Sequence, residues 1–161
     1  MGIKIAITGH TKSLGKSLFE TLKDQHHEVS GFSRSNGFDI KNPFQRQSII
    51  EAVHDHDVFI NLVHNYYHQS DLLYELHRSW QGKNKIIINI SSSVVDNDNW
   101  ALDDYEMMEY KIQKINLENF SKYLKKMNEL PTVVIYTISE LSVTTDTNNI
   151  IEIINERIHK K

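Results

Sequence analysis

Tyr110 and Lys114 are the two residues whose types and spacing most directly suggest proton chemistry. Four apart on a helix, they project from one face, about 6 Å apart along the axis. An ammonium beside a phenol favours the phenolate and draws its pKa down from about 10. Tyr110 is therefore a candidate general acid/base for a carbonyl or an alcohol. The same spacing also suits an ordinary solvated helix face. A second candidate is the run Thr8-Gly9-His10-Thr11-Lys12-Ser13-Leu14-Gly15, which leads from a β-branched apolar segment into a helical pattern. Free backbone N–H groups and the positive end of the helix dipole make such a turn a phosphate site. Gly9 permits the tight turn, and Gly15 permits close packing of helix on strand. Gly15-Lys16-Ser17 behind Gly9 approaches a P-loop. However, five residues separate Gly9 from Gly15 instead of four, and the run 86–88 leads into Asn89 and not into a metal-holding Asp. A βα turn with incidental glycines is the plain alternative.

The elements that must position these residues follow from apolar periodicity. Residues 3–8, 28–33, 57–63, 85–91 and 132–138 are short apolar runs that read as strands. Between them lie helical patterns. Residues 13–25 carry Leu14, Leu18, Phe19 and Leu22, and Pro43 opens a helix with Phe44, Ile49, Ile50 and Val53. Residues 69–81 carry Leu72, Leu73, Leu76 and Trp80, residues 104–128 run up to Pro131, and residues 147–159 carry Ile150, Ile151, Ile154 and Ile158. Strands alternating with helices predict an α/β fold: a Rossmann-like, doubly wound parallel sheet in three αβα layers, formed by residues 1–161 as one domain. Ligands of such sheets bind at the carboxyl ends of the strands.

The glycine run resembles the TGxxxGxG signature of the short-chain dehydrogenase/reductase family, with Thr8, Gly9 and Gly15 matching and Ser13 in place of the middle glycine. Four more segments follow in that family's order. Asp57-Val58-Phe59-Ile60-Asn61-Leu62-Val63-His64 is similar to DVLVNNAG, with Leu62 and His64 departing. Ile88-Asn89-Ile90-Ser91-Ser92 is similar to the NISS strand, Tyr110 to Lys114 fit YxxxK, and residues 138–145 line up with ISPGxVxT through Val143 and Thr145, with Glu140 and Leu141 departing. The resemblance covers nearly the whole chain, although the last strand and the substrate-binding region are cut or missing and no Asn stands clearly in the catalytic place.

The resemblance implies an oxidoreductase that moves hydride between a nicotinamide dinucleotide and a small carbonyl or alcohol, or a non-catalytic dinucleotide-binding or regulatory relative. It implies Tyr110, Lys114 and Ser92 as the catalytic group, with Lys114 also reaching the nicotinamide ribose. Gly9, Thr11, Lys12, Ser13, Leu14, Gly15, Asn61, Val63, Val143 and Thr145 would hold the cofactor, with Asp39-Ile40 beside the adenine. NAD sites carry an acid about 20 residues beyond the glycine loop. Here the second strand ends Phe32-Ser33-Arg34-Ser35, where Arg34 suits a 2′-phosphate and Ser33 and Ser35 can donate to it. NADP(H) is therefore expected in preference to NAD(H).

Residues 65–68 follow the third strand and are candidates for the substrate pocket. The acidic stretch 96–104, with Trp100, reads as a lid or a solvated loop. Apolar residues Ile112, Ile115, Phe120 and Tyr123 on the long helix suit core packing or, as the resemblance implies, a homodimer. Nine His include the His64/His68 pair, yet no third ligand is indicated, so no metal is expected. The absence of Cys excludes disulfides and thiolate catalysis. A net charge of −3 gives no case for nucleic acid. No apolar stretch is long enough to span a membrane or to act as a secretory signal, so a cytoplasmic location is expected. Magnesium-dependent NTP hydrolysis is the third functional possibility.

Overall fold

The computed structural model describes residues 2–96, 104–127, 133–140 and 142–158. The stretch around Trp100 lies outside the described residues. Five strands, β1 (Lys4–Thr8), β2 (Glu28–Phe32), β3 (Val58–Asn61), β4 (Ile86–Ser92) and β5 (Val134–Glu140), form one sheet in the order β2-β1-β3-β4-β5. Every pairing is parallel. Between and after them run α1 (Ser13–Asp24), α2 (Pro43–Ala52), α3 (His68–Trp80), α4 (Tyr105–Lys126) and α5 (Val143–Ile158).

The period-2 alternation of strands divides the core into two halves. Ile5, Ile7, Val58, Ile60, Ile86, Ile88 and Ile90 face one side, where they pack with Leu14, Leu18 and Leu22 of α1 and Ile150 and Ile154 of α5. Ala6, Phe32, Phe59, Ile87 and Ile135 face the other, against Ile49 and Ile50 of α2, Leu72, Leu73, Leu76 and Trp80 of α3, and Leu117 and Leu124 of α4. With both sheet faces covered, the strands read as continuous apolar runs, as parallel strands do. This is the αβα arrangement that the sequence predicts.

Element ends differ from the sequence reading where side chains intervene. The third strand is predicted to reach residue 63 but stops at Asn61, because the Thr8 hydroxyl takes the N–H groups of Leu62 (2.9 Å) and Val63 (3.2 Å) out of the ladder. The last helix begins at Val143, four residues before the predicted start. Ser142 supports that start, since its Oγ accepts the Thr145 N–H at 3.2 Å. Helix α2 is capped by Asn42, whose Oδ1 accepts the N–H groups of Phe44 (2.9 Å) and Gln45 (3.3 Å). Helix α4 is capped by Asp104 on the Met107 N–H (3.0 Å). At the start of α1, by contrast, Lys12 makes no side-chain cap.

Candidate active site

In an open sheet of this order the ligand crevice opens between β1 and β3, where the strand order reverses. A cleft of about 1210 Å³ lies there. Gly9 and Thr11 to Ser13 line it from the β1–α1 turn, and Ser33, Arg34 and Ser35 line it from the end of β2. Val63, His64, Asn65 and Tyr66 come from the end of β3, and Glu106, Glu109, Tyr110 and Gln113 from α4.

The turn after β1 is built around its glycines. Gly9 has φ +75°, and a Cβ there would also lie 2.6 Å from Val63 Cγ2. A Cβ on Gly15 would collide with the carbonyl oxygen of Gly9, so the helix start sits directly on the turn. Ser13 takes a left-handed φ of +43°, a conformation suited to glycine, at the position where the resembled signature has one. The first-turn N–H groups of α1 meet no capping side chain and no acidic residue in that turn, which leaves this end suited to an anion. The Gly-Lys-Ser side chains turn elsewhere: Lys16 pairs with Glu20 at 3.8 Å, and Ser17 hydrogen-bonds Thr147 at 3.0 Å. These partners give no support to the P-loop reading.

Arg34 and Ser35 are exposed on the cleft. Ser33 is tied down, with its N–H donating to Asn36 Oδ1 (2.7 Å) and its hydroxyl 2.7 Å from that of Ser35. Asp39 also lines the cleft, its N–H donating to Gln45 and its carboxylate accepting the Lys41 N–H.

Tyr110 reaches the cleft, but Lys114 points into the protein. Its side chain is 3% exposed, and its Nζ donates to Gln69 Oε1 and to the Ile90 carbonyl, both at 3.0 Å. The ammonium remains 5.6 Å from the centre of the Tyr110 ring. Gln69 is the hub of a buried network. Its Nε2 donates to the carbonyls of Asn61 (2.8 Å) and Ile90 (3.0 Å), and the Asn61 amide donates to the Gln69 carbonyl and to Asn89 Oδ1, both at 3.0 Å. Asn61 is thus wholly buried in this network, away from the cleft surface. Leu14 is a core residue beneath the turn. Ser92 is half-buried, its Oγ accepting the Val94 N–H at 3.3 Å. Val143 and Thr145 are exposed on the first turn of α5, where the Ser142 hydroxyl donates to Thr145 at 2.9 Å. Ser92, Lys114, Asn61, Val143 and Thr145 are not among the described residues that line the cleft, so only part of the expected constellation converges there.

Asn65 and Tyr66 of the candidate segment 65–68 line the cleft, whereas His68 hydrogen-bonds Asp71 at 2.9 Å. Sequence reasoning missed Glu106, Glu109, Gln113, Gln69 and the role of His64. Only His64 carried a signal, as a bulky residue at a motif glycine. Its imidazole packs edge-on against Tyr110, with ring centres 4.7 Å apart. Burial, together with the Lys114 charge, lowers its pKa to about 4, with Gln113 opposing the shift. Among the described residues no cluster of His, Asp and Glu could hold a metal ion, and no helix is long and apolar enough to cross a membrane.

No family profile and no curated protein matches the chain by sequence. Solved structures do match in shape. A short-chain dehydrogenase from Burkholderia cenocepacia, solved with NADP, superposes with a TM-score of 0.68 at 16% identity, over 86% of this chain and 71% of that one. The fold is that of the short-chain dehydrogenases. A 3-alpha-hydroxysteroid dehydrogenase from a Pseudomonas species, complexed with NADH, gives 0.65 at 18% identity over 84% and 71%. A short-chain dehydrogenase from Leptospira borgpetersenii with bound NAD+ gives 0.63 at 20% identity over 79% and 66%. At these identities the likeness establishes the short-chain dehydrogenase architecture and leaves chemistry to the site itself.

Proposed function

We propose that the chain is an NADP(H)-dependent oxidoreductase of the short-chain dehydrogenase type, acting on a small carbonyl or alcohol. One observation carries the reading: the uncapped, glycine-built start of α1 and the phenol of Tyr110 open onto the same cleft at the β1/β3 switch point. The residues present fit a dinucleotide. Backbone N–H groups from Thr11 to Ser13, which line the cleft, would hold its pyrophosphate, and Arg34 with Ser35 would receive a 2′-phosphate as a charge-assisted pair. Asp39, which also lines the cleft, would stand beside the adenine.

The cofactor supplies the hydride. Tyr110 gives its hydroxyl proton to the carbonyl oxygen in reduction and takes it back in oxidation. The Lys114 ammonium stands 5.6 Å from the centre of the Tyr110 ring, held by its hydrogen bonds to Gln69 and Ile90. Asn65 and Tyr66 line the part of the cleft where a substrate would sit. Exposed Tyr105, Met108 and Ile112, followed by Tyr123 and Met127, lie along α4 and support a homodimer through that helix. Sedimentation that reports a monomer at micromolar concentration would remove that element.

The test is NADPH oxidation with a panel of aldehydes and ketones, for the native chain and for Tyr110→Phe. Turnover that the variant loses by about a hundredfold or more supports the reading. Equal rates refute the role of Tyr110. A second reading, a dinucleotide-binding protein without turnover, is favoured by the buried engagement of Lys114 with Gln69 and Ile90. Tight NADPH binding with no oxidation across the panel would select it.

A further inference from the structure

The chain leaving β3 is anchored as it enters the cleft. Thr8 donates its hydroxyl to the Ile60 carbonyl (3.4 Å) and accepts the N–H groups of Leu62 and Val63. His64 follows directly. Its imidazole meets the Tyr110 ring edge to face, with planes at 83° and centres 4.7 Å apart, the arrangement aromatic pairs favour. Gln113 lies three residues beyond Tyr110 on the same face of α4, is buried, and lines the same cleft as His64. Tyr110 thus packs against a ring carried by the chain that leaves β3. Nothing else in the cleft gives its ring an aromatic partner among the described residues. In the resembled DVLVNNAG motif a glycine stands at this place.

We infer that His64 is a positioning residue for Tyr110: its imidazole, carried on the chain that Thr8 anchors after β3, fixes the phenol ring in one orientation in the cleft. The inference rests on the reading of Tyr110 as proton donor and acceptor. The charge state is consistent with the geometry. With a pKa of about 4 the imidazole is neutral at pH 7, so it packs on the phenol without placing a second cation beside Lys114. The other charged groups around this cleft are Lys12 from the β1–α1 turn, Arg34 and Asp39 from the β2–α2 connection, and Glu106 and Glu109 from α4.

The test uses the full chain with 13C-labelled tyrosine rings, the Tyr110 signal being identified by its loss in Tyr110→Phe. The native ring is expected to rotate slowly. In His64→Gly its two edges should exchange at least about tenfold faster, and His64→Phe, which keeps the ring contact, should restore most of the native rate. With any carbonyl that turns over, His64→Gly should lower kcat about tenfold or more, with KM for NADPH unchanged. Unchanged ring exchange in His64→Gly overturns the inference, whatever the activity. If NADPH leaves the native Tyr110 signal unmoved and no carbonyl is reduced, the oxidoreductase reading fails, and the exchange rates still decide whether His64 holds the ring.

Discussion

Replacing Lys114 by Met separates a structural role from a catalytic one. Lys114 is 3% exposed, and its ammonium satisfies Gln69 Oε1 and joins Gln69 Nε2 on the Ile90 carbonyl. Met has a similar length and no donor. The Ile90 carbonyl keeps its bond from Gln69, so the Gln69 oxygen is the group that loses this donor. Leaving a buried acceptor unsatisfied costs about 1–3 kcal/mol, partly offset because a buried charge is removed. A net loss of about 1–2 kcal/mol corresponds to a fall in Tm of roughly 2–8 °C for a chain of this size. Urea unfolding and calorimetry would measure it, with the exposed Lys122→Met on the same helix as a control expected within about 0.5 kcal/mol of native. If Lys114→Met is as stable as Lys122→Met, the buried network around Gln69 does not hold as described.

Arg34→Ala should raise the Kd for NADPH about tenfold to a hundredfold, the loss of one charge-assisted contact, and leave that for NADH unchanged; equal changes by calorimetry would remove Arg34 from the 2′-phosphate site. Gly15→Ala sets a methyl group against the Gly9 carbonyl oxygen, so it should destabilise the fold by about 1–3 kcal/mol and abolish dinucleotide binding; a native-like variant that binds would contradict the turn geometry. The His64 imidazole should titrate near pH 4 by NMR, and a midpoint above 6 would contradict its burial. Because that folded-state value lies below about 6.5 for the unfolded chain, the unfolded state binds more protons between those pH values. Stability should therefore rise with pH across that window, His27 and His56 adding to the slope through their own burial, and His64→Phe should flatten it measurably.

The sheet was legible because its signals are local. Runs such as Ile86-Ile87-Ile88, short and β-branched, read as buried strands, and Pro43 after Asn42 marks a helix start by its own chemistry. The turn at Gly9 was legible for the same reason, since a strand running into spaced glycines and a helix admits few geometries. The direction of Lys114 was not legible. Helical spacing places it one turn from Tyr110, but its ammonium is drawn inward by Gln69, 45 residues away, and by a carbonyl on β4. Asn61 was displaced likewise: its position at the end of β3 was right, and its amide went to Asn89 and Gln69. Polar side chains at strand ends choose between ligand and network through partners that no periodicity encodes. Glu106 and Glu109 enter the cleft only because α4 crosses its mouth, which depends on packing against α3 and β5.

The account depends on a dinucleotide settling on the start of α1 with its nicotinamide end beside Tyr110. Titrating the full chain with NADPH, followed by the fluorescence of the reduced nicotinamide, tests that most directly. One site per chain, a Kd in the roughly micromolar range and an enhanced, blue-shifted emission are the predicted result. Absence of any change up to millimolar NADPH, and likewise for NADH, would contradict it.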